Sequence, residues 1–128
     1  MAVRGKNNTR PVHLNLFKIR LPVGGVLSIL HRITGAALVL LLPLGVYALD
    51  RSLKDAEFFS DLSAGLTTSL GRATLLVIVW IFSQHFFSGL RHLLLDISIA
   101  DEKSSARRGA WLAFMATALV VLWVGVCL

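Results

Sequence analysis

Charge and cysteine are both scarce in this chain. Of its 128 residues, 16% are charged and one is a cysteine, against about 25% charged in ordinary soluble domains. The lone Cys127 excludes an internal disulfide, so it does not report the redox compartment. It also falls short of the cysteine set that an iron–sulfur cluster requires. No flavin or dinucleotide fingerprint of the Gly-rich kind occurs. Acid is missing from the N-terminal segment, which carries Arg4, Lys6, Arg10, Lys18 and Arg20. Neither an internal repeat nor a low-complexity tract is visible. A cleavable signal peptide is not expected either, because the first apolar run follows a polar stretch and is too long for an h-region. The net charge of +6 raises nucleic-acid binding, but most basic residues flank apolar runs rather than forming an aromatic-interleaved patch. They suit membrane topology and anionic lipid instead.

What is abundant is apolar sequence. Hydrophobic residues make up 55% of the chain, and its mean hydropathy is +0.73. Three long runs stand out, about Val23–Leu49, Ala73–Leu95 and Ala110–Leu128. Each meets the rough requirement of ~20 residues for crossing a ~30 Å hydrocarbon core. Lipid admits only helices and closed barrels, and the runs lack strict alternation, so helices are expected. The sequence therefore predicts an all-α membrane protein with three spans. Residues 1–22 form a basic N-terminal cytoplasmic segment and residues 23–128 the transmembrane anchor. Pro43 is expected to kink the first span or mark its end. The weight of Lys and Arg places the N-terminus inside and the C-terminus outside. The connection Arg51–Gly71 is too polar to span. Phe58, Phe59, Leu62 and Leu66 fall near helical spacing, so it reads either as an interfacial helix or as a solvated loop with anchors.

Two clusters break the apolar runs. Ser28-Ile29-Leu30-His31-Arg32 lies early in the first, and His85, Arg91 and His92 lie in the second. Charge deep in a span costs at least a few kcal/mol and normally faces a partner or a cavity. Arg32 can snorkel to headgroups, and Arg91 with His92 can cap the inner end of the second span. His85 lies ten residues from the end of its run, about 15 Å along a helix. An imidazole at that depth requires a hydrogen-bond partner or a metal. In an antiparallel pair of spans, His31 and His85 stand at similar depth. Ser28 and Arg32 share a helix face, and His85, Gly89 and His92 form another stripe. A haem held by His beside a Gly-lined slot, with Arg and His toward its propionates, fits this chemistry. A polar contact between helices fits equally well.

The motifs are more specific than their parts. Arg10-Pro11, a gap, and Ser28-Ile29-Leu30-His31-Arg32-Ile33-Thr34 resemble the N-terminal signature of the succinate dehydrogenase cytochrome b family. His85-Phe86-Phe87-Ser88-Gly89-Leu90-Arg91-His92, ending at Asp96, is similar to the family's second signature. Leu95 departs from it, where an aromatic residue or Met is commoner. The resemblance covers nearly the whole chain. It implies a bacterial inner-membrane anchor of respiratory complex II, in which this chain and a second small haem-binding anchor subunit form a helical bundle. The pair holds an iron–sulfur subunit and a flavoprotein subunit. Succinate would be oxidised on the flavoprotein, so this chain would not be catalytic alone, and electrons would pass to ubiquinone. Carried over by motif position, His85 would be one axial ligand of a haem b shared with the second anchor. His31 and Arg32 would contact the propionates, and Ser28 and Arg32 would line the quinone site. Asp96 would be a proton-relay member or, more simply, an exposed residue pairing with Arg91 or Arg107. The anchor of a quinol:fumarate reductase and a non-redox membrane scaffold are the competing expectations.

Overall fold

The structure, a computed structural model, describes residues 21–97 and 103–128. Nearly all of the expected N-terminal cytoplasmic segment lies outside these residues. Four helices follow in order: α1 (Val23–Lys54), α2 (Ala56–Thr67), α3 (Ser69–Asp96) and α4 (Lys103–Cys127). No strand occurs among the described residues. Three helices, α1, α3 and α4, are long and apolar enough to cross a membrane.

Each of these three helices runs past its apolar run. Helix α1 continues through Pro43 to Lys54. Its polar last turn is held by i,i+4 ion pairs, Lys54–Asp50 at 2.6 Å and Arg51–Asp55 at 3.1 Å. Both pairs are exposed and contribute little individually. Their basic members also suit the negative end of the helix dipole. Asp55 then ends α1 and starts α2, because its side chain accepts from the backbone N–H groups of Glu57 and Phe58, both at 3.1 Å. The connection that the sequence left as helix or loop is therefore a helix, started by a carboxylate N-cap. Arg51 lies over the Phe58 ring, with Cζ 5.5 Å from its centroid. Thr68 repeats the capping device for α3 by accepting from Gly71 N–H at 3.0 Å. A Cβ at Gly71 would collide with the Gly65 carbonyl and the Leu66 backbone. Glycine there lets α3 leave α2 at so tight a turn.

Helix α3 is central. It packs most extensively on α4 and next on α1, while α1 and α4 touch less. Close approaches show both pairs to be antiparallel. Gly24 and Gly35 of α1 meet Arg91 and His85 of α3, and Gly109 and Gly125 of α4 meet Arg91 and Leu76. The seam is small and polar rather than oily. Its fully or nearly buried residues are Leu27, Thr34, Ser83, Gln84, Ser88, Ala110, Ala113 and Thr117. Four of the polar ones bond within the bundle. Gln84 donates to Ser88 Oγ at 3.0 Å, Thr34 to Leu30 O at 2.7 Å and Thr117 to Ala113 O at 2.9 Å. Large apolar side chains point outward instead, Leu42 being 70% and Val126 87% exposed. Lipid offers no hydrophobic drive between helices, so small residues and hydrogen bonds at the seam are what hold such a bundle.

Candidate functional site

Residues Leu27, His31, Thr34 and Gly35 recur at helical spacing and give α1 its face toward α3. Leu27 and Thr34 are buried, while His31 and Gly35 meet α3 side chains. On α3 the answering residues are His85, Gly89 and His92. The His31 and His85 rings stack with centroids 4.3 Å apart and planes 10° from parallel. His92 tilts against His31 at 5.1 Å. The similar depth expected for His31 and His85 thus becomes direct contact.

Glycine makes that contact possible. A Cβ on Gly35 would lie 3.0 Å from His85 Cε1 and 3.3 Å from its Nδ1. A Cβ on Gly89 would lie 3.3 Å from His31 Nε2. All three distances are shorter than the ordinary 3.5–4.0 Å carbon contact. The Gly89 slot expected to admit a flat ligand is thus filled by the His31 ring. Ser88 is fully buried and accepts from Gln84.

The His85 ring is fixed by one hydrogen bond. Its Nδ1 lies 3.2 Å from the backbone carbonyl oxygen of His31. A carbonyl only accepts, so Nδ1 carries the hydrogen and Nε2 keeps its lone pair. Backbone carbonyls commonly orient metal-binding histidines in this way. The ring borders an apolar groove of about 830 Å³ that runs along α1 past Gly35, Leu38, Leu42, Gly45 and Leu49, with Phe82 opposite. An imidazole with a free Nε2 beside a long apolar groove fits an axial ligand of a haem. The stacked faces of His31 and His85 do not fit a bis-histidine iron site within this chain, because ring faces rather than lone pairs point at each other. Among the described residues there is no cluster of three His, Cys, Asp or Glu able to hold a bare metal ion. A haem does not require one.

Ser28 and Arg32 lie one residue past the seam positions Leu27 and His31, rotated by about 100° around α1. Ser28 is half-buried and Arg32 is exposed. Neither is hydrogen-bonded to another described residue. The structure thus brings His31, His85 and His92 together and leaves Ser28 and Arg32 on the open flank of the same turns.

Arg91 does something the sequence did not disclose. It joins α3 to α4, donating from Nε and Nη2 to Ala106 O at 3.4 and 3.1 Å. Its guanidinium passes beside Gly24 of α1 and Gly109 of α4. The expected pairing of Asp96 with Arg91 or Arg107 is not observed. Among the described residues the ion pairs are those at the end of α1, and Asp96 is exposed. Gln84 is the other residue the sequence reading passed over, although a polar group inside an apolar run was a visible signal.

Comparison with known proteins places this geometry. The family model described as the succinate dehydrogenase/fumarate reductase transmembrane subunit matches residues 6–124. A succinate dehydrogenase cytochrome b556 subunit from Coxiella burnetii (strain RSA 493 / Nine Mile phase I) is 35% identical over 124 residues, covering 94% of this chain and 97% of the relative. One of the same name from Paracoccus denitrificans is 31% identical over 101 residues, covering 79% of this chain and 78% of the relative. A third, from Rickettsia felis (strain ATCC VR-1525 / URRWXCal2), is 26% identical and covers 91% and 93%. With the three long apolar helices, these similarities make the chain a multi-pass protein of the bacterial inner membrane.

Proposed function

We propose a role that proceeds from membership: this chain belongs to the succinate dehydrogenase/fumarate reductase transmembrane subunit family, and within it serves as the cytochrome b anchor of a succinate:ubiquinone oxidoreductase. The names of the similar proteins favour succinate oxidation over the fumarate-reducing direction. A second anchor, an iron–sulfur subunit and a flavoprotein subunit complete the assembly, with the N-terminus of this chain inside. This chain contributes a haem ligand and part of a quinone site.

The observation that carries this reading is the His85 ring, half-buried between helices at the edge of the groove, with Nδ1–H on a backbone carbonyl and Nε2 bare. When bound, haem b supplies a one-electron carrier within the bilayer. His85 would hold its iron, and the His31 carbonyl would raise the basicity of that ligand. The stacked His31 ring turns its face to His85, so a second ligand to the iron would come from the partner anchor. His31 and Arg32 would hold the propionates. Ser28 and Arg32, on the open flank of α1, meet the quinone. The hydroxyl donates a hydrogen bond to a carbonyl oxygen, and the guanidinium stabilises negative charge as that oxygen is reduced. Arg32 stays protonated throughout, so the proton itself comes from another group.

His85→Ala in the assembled complex tests the reading. Loss of the low-spin spectrum in the reduced and oxidised states is expected. An unchanged low-spin spectrum would exclude His85 as a ligand. A high-spin spectrum in His31→Ala, with His85 intact, would contradict ligation from the partner chain.

A further inference from the structure

The second cavity of the bundle lies at its other functional level, where α1 begins, α3 ends and α4 begins. It measures about 580 Å³ and is lined by the start of α1 together with Arg91, Arg107 and Trp111. That volume falls within the usual range of ~300–1,000 Å³ for ligand sites. It adjoins the histidine stack from one end: Gly24 on its wall precedes His31 by about two turns, or ~10 Å, while Arg91 neighbours His92 on α3.

Three features give the cavity one chemistry. First, two arginines line it, and no carboxylate among the described residues does. Arg91 spends two N–H directions on Ala106 O, and a guanidinium has five donors, so three remain. Second, Gly24 leaves room for the Arg91 head, since a Cβ there would lie 3.3 Å from Nη2. Third, the remaining walls, Val23 and Trp111 among them, are apolar. Cations above apolar walls at the end of a transmembrane bundle match an amphiphile whose headgroup is anionic. Trp111 has the indole that favours the membrane–water interface.

We propose that this cavity binds the phosphate of an anionic phospholipid, with Arg91 and Arg107 on the phosphate oxygens and an acyl chain leaving along Val23 and Trp111. Arg91 then has two tasks on one side chain: it fixes α4 to α3 and presents its free donors to the lipid. Bound lipid bridges α1, α3 and α4 at this end of the bundle.

The test uses the native assembly extracted in mild detergent. Bound phospholipid is quantified by class, the complex is stripped by further washing, and thermal unfolding is followed after adding back phosphatidylglycerol, phosphatidylcholine or inorganic phosphate. Wild type is expected to retain about one anionic phospholipid per chain and to be stabilised by phosphatidylglycerol alone. Arg107→Gln keeps the Arg91–Ala106 bonds, so it should fold and bind the lipid roughly fivefold more weakly, the loss expected for one basic residue at a membrane surface. Arg107→Glu should abolish retention. Equal stabilisation by inorganic phosphate would overturn the lipid assignment in favour of a free-anion site. Equal lipid retention in wild type and Arg107→Glu, or no retained lipid in wild type, would overturn the site altogether.

Discussion

Replacing Gly35 by alanine tests how the histidine ligand is aimed. The new Cβ would lie 3.0 Å from His85 Cε1 and 3.3 Å from Nδ1, whereas carbon atoms rest at about 3.5–4.0 Å. The ring must therefore retreat from α1 by roughly 0.5–1 Å. Its only hydrogen bond runs to α1, at 3.2 Å from the His31 carbonyl, already the upper end of good geometry. Retreat breaks it. Loss of such an orienting partner typically weakens metal binding by about 10–100-fold, or ~1.4–2.7 kcal/mol. Alanine is also a better helix former than glycine by roughly 0.5–1 kcal/mol. The two effects have opposite signs on different observables. Helical stability should hold or rise while haem is lost more readily. The assay is haem content and low-spin fraction per assembled complex, read during a titration with a haem scavenger. Haem retention equal to wild type in Gly35→Ala would refute the claim that the His31 carbonyl orients the ligand.

Three further outcomes follow from the same geometry. Ser28→Ala and Arg32→Leu should each slow ubiquinone reduction while electron delivery to a water-soluble acceptor stays near normal. The loss should be at most about 100-fold for Ser28 and larger for Arg32, on the scale of removing one donor aimed at a developing oxyanion, and normal quinone reduction in both assembled variants would remove them from the site. Gly71→Ala should destabilise the α2–α3 turn, because its Cβ meets the Gly65 carbonyl, whereas Gly65→Ala, with nothing within 4 Å, should be neutral or stabilise α2 by up to about 1 kcal/mol; thermal unfolding of the two variants must diverge in that order. A reporter fused after Leu128 should be active only if it works outside the cytoplasm, and activity of a cytoplasm-dependent reporter there would contradict the proposed orientation.

The sequence showed the spans because lipid demands long apolar runs, a signal that survives any detail of packing. The shared level of His31 and His85 was legible too, from helical rise alone. Their stacking was not, because it depends on the rotation of α1 against α3, which Gly35 and Gly89 set by admitting rings at short range. Helix α2 remained ambiguous between helix and loop. Its outcome was decided by Asp55 capping two N–H groups, a local bond that periodicity does not report. The Arg91–Ala106 bonds were hidden for another reason. A backbone carbonyl carries no residue identity, so no pairing of side-chain types points to it.

The central place of α3 also imposes a sequence of events during synthesis. Helix α1 reaches the membrane before its partner exists, with the His31 carbonyl and the Gly35 notch facing lipid or the insertion machinery. Helix α4 comes last, and its main contacts are to α3. The α1–α3 seam therefore closes when α3 turns back at the Gly71 corner, and α4 completes the bundle last. A nascent chain ending within α2 would present a lone helix carrying a polar His–Arg step to the bilayer.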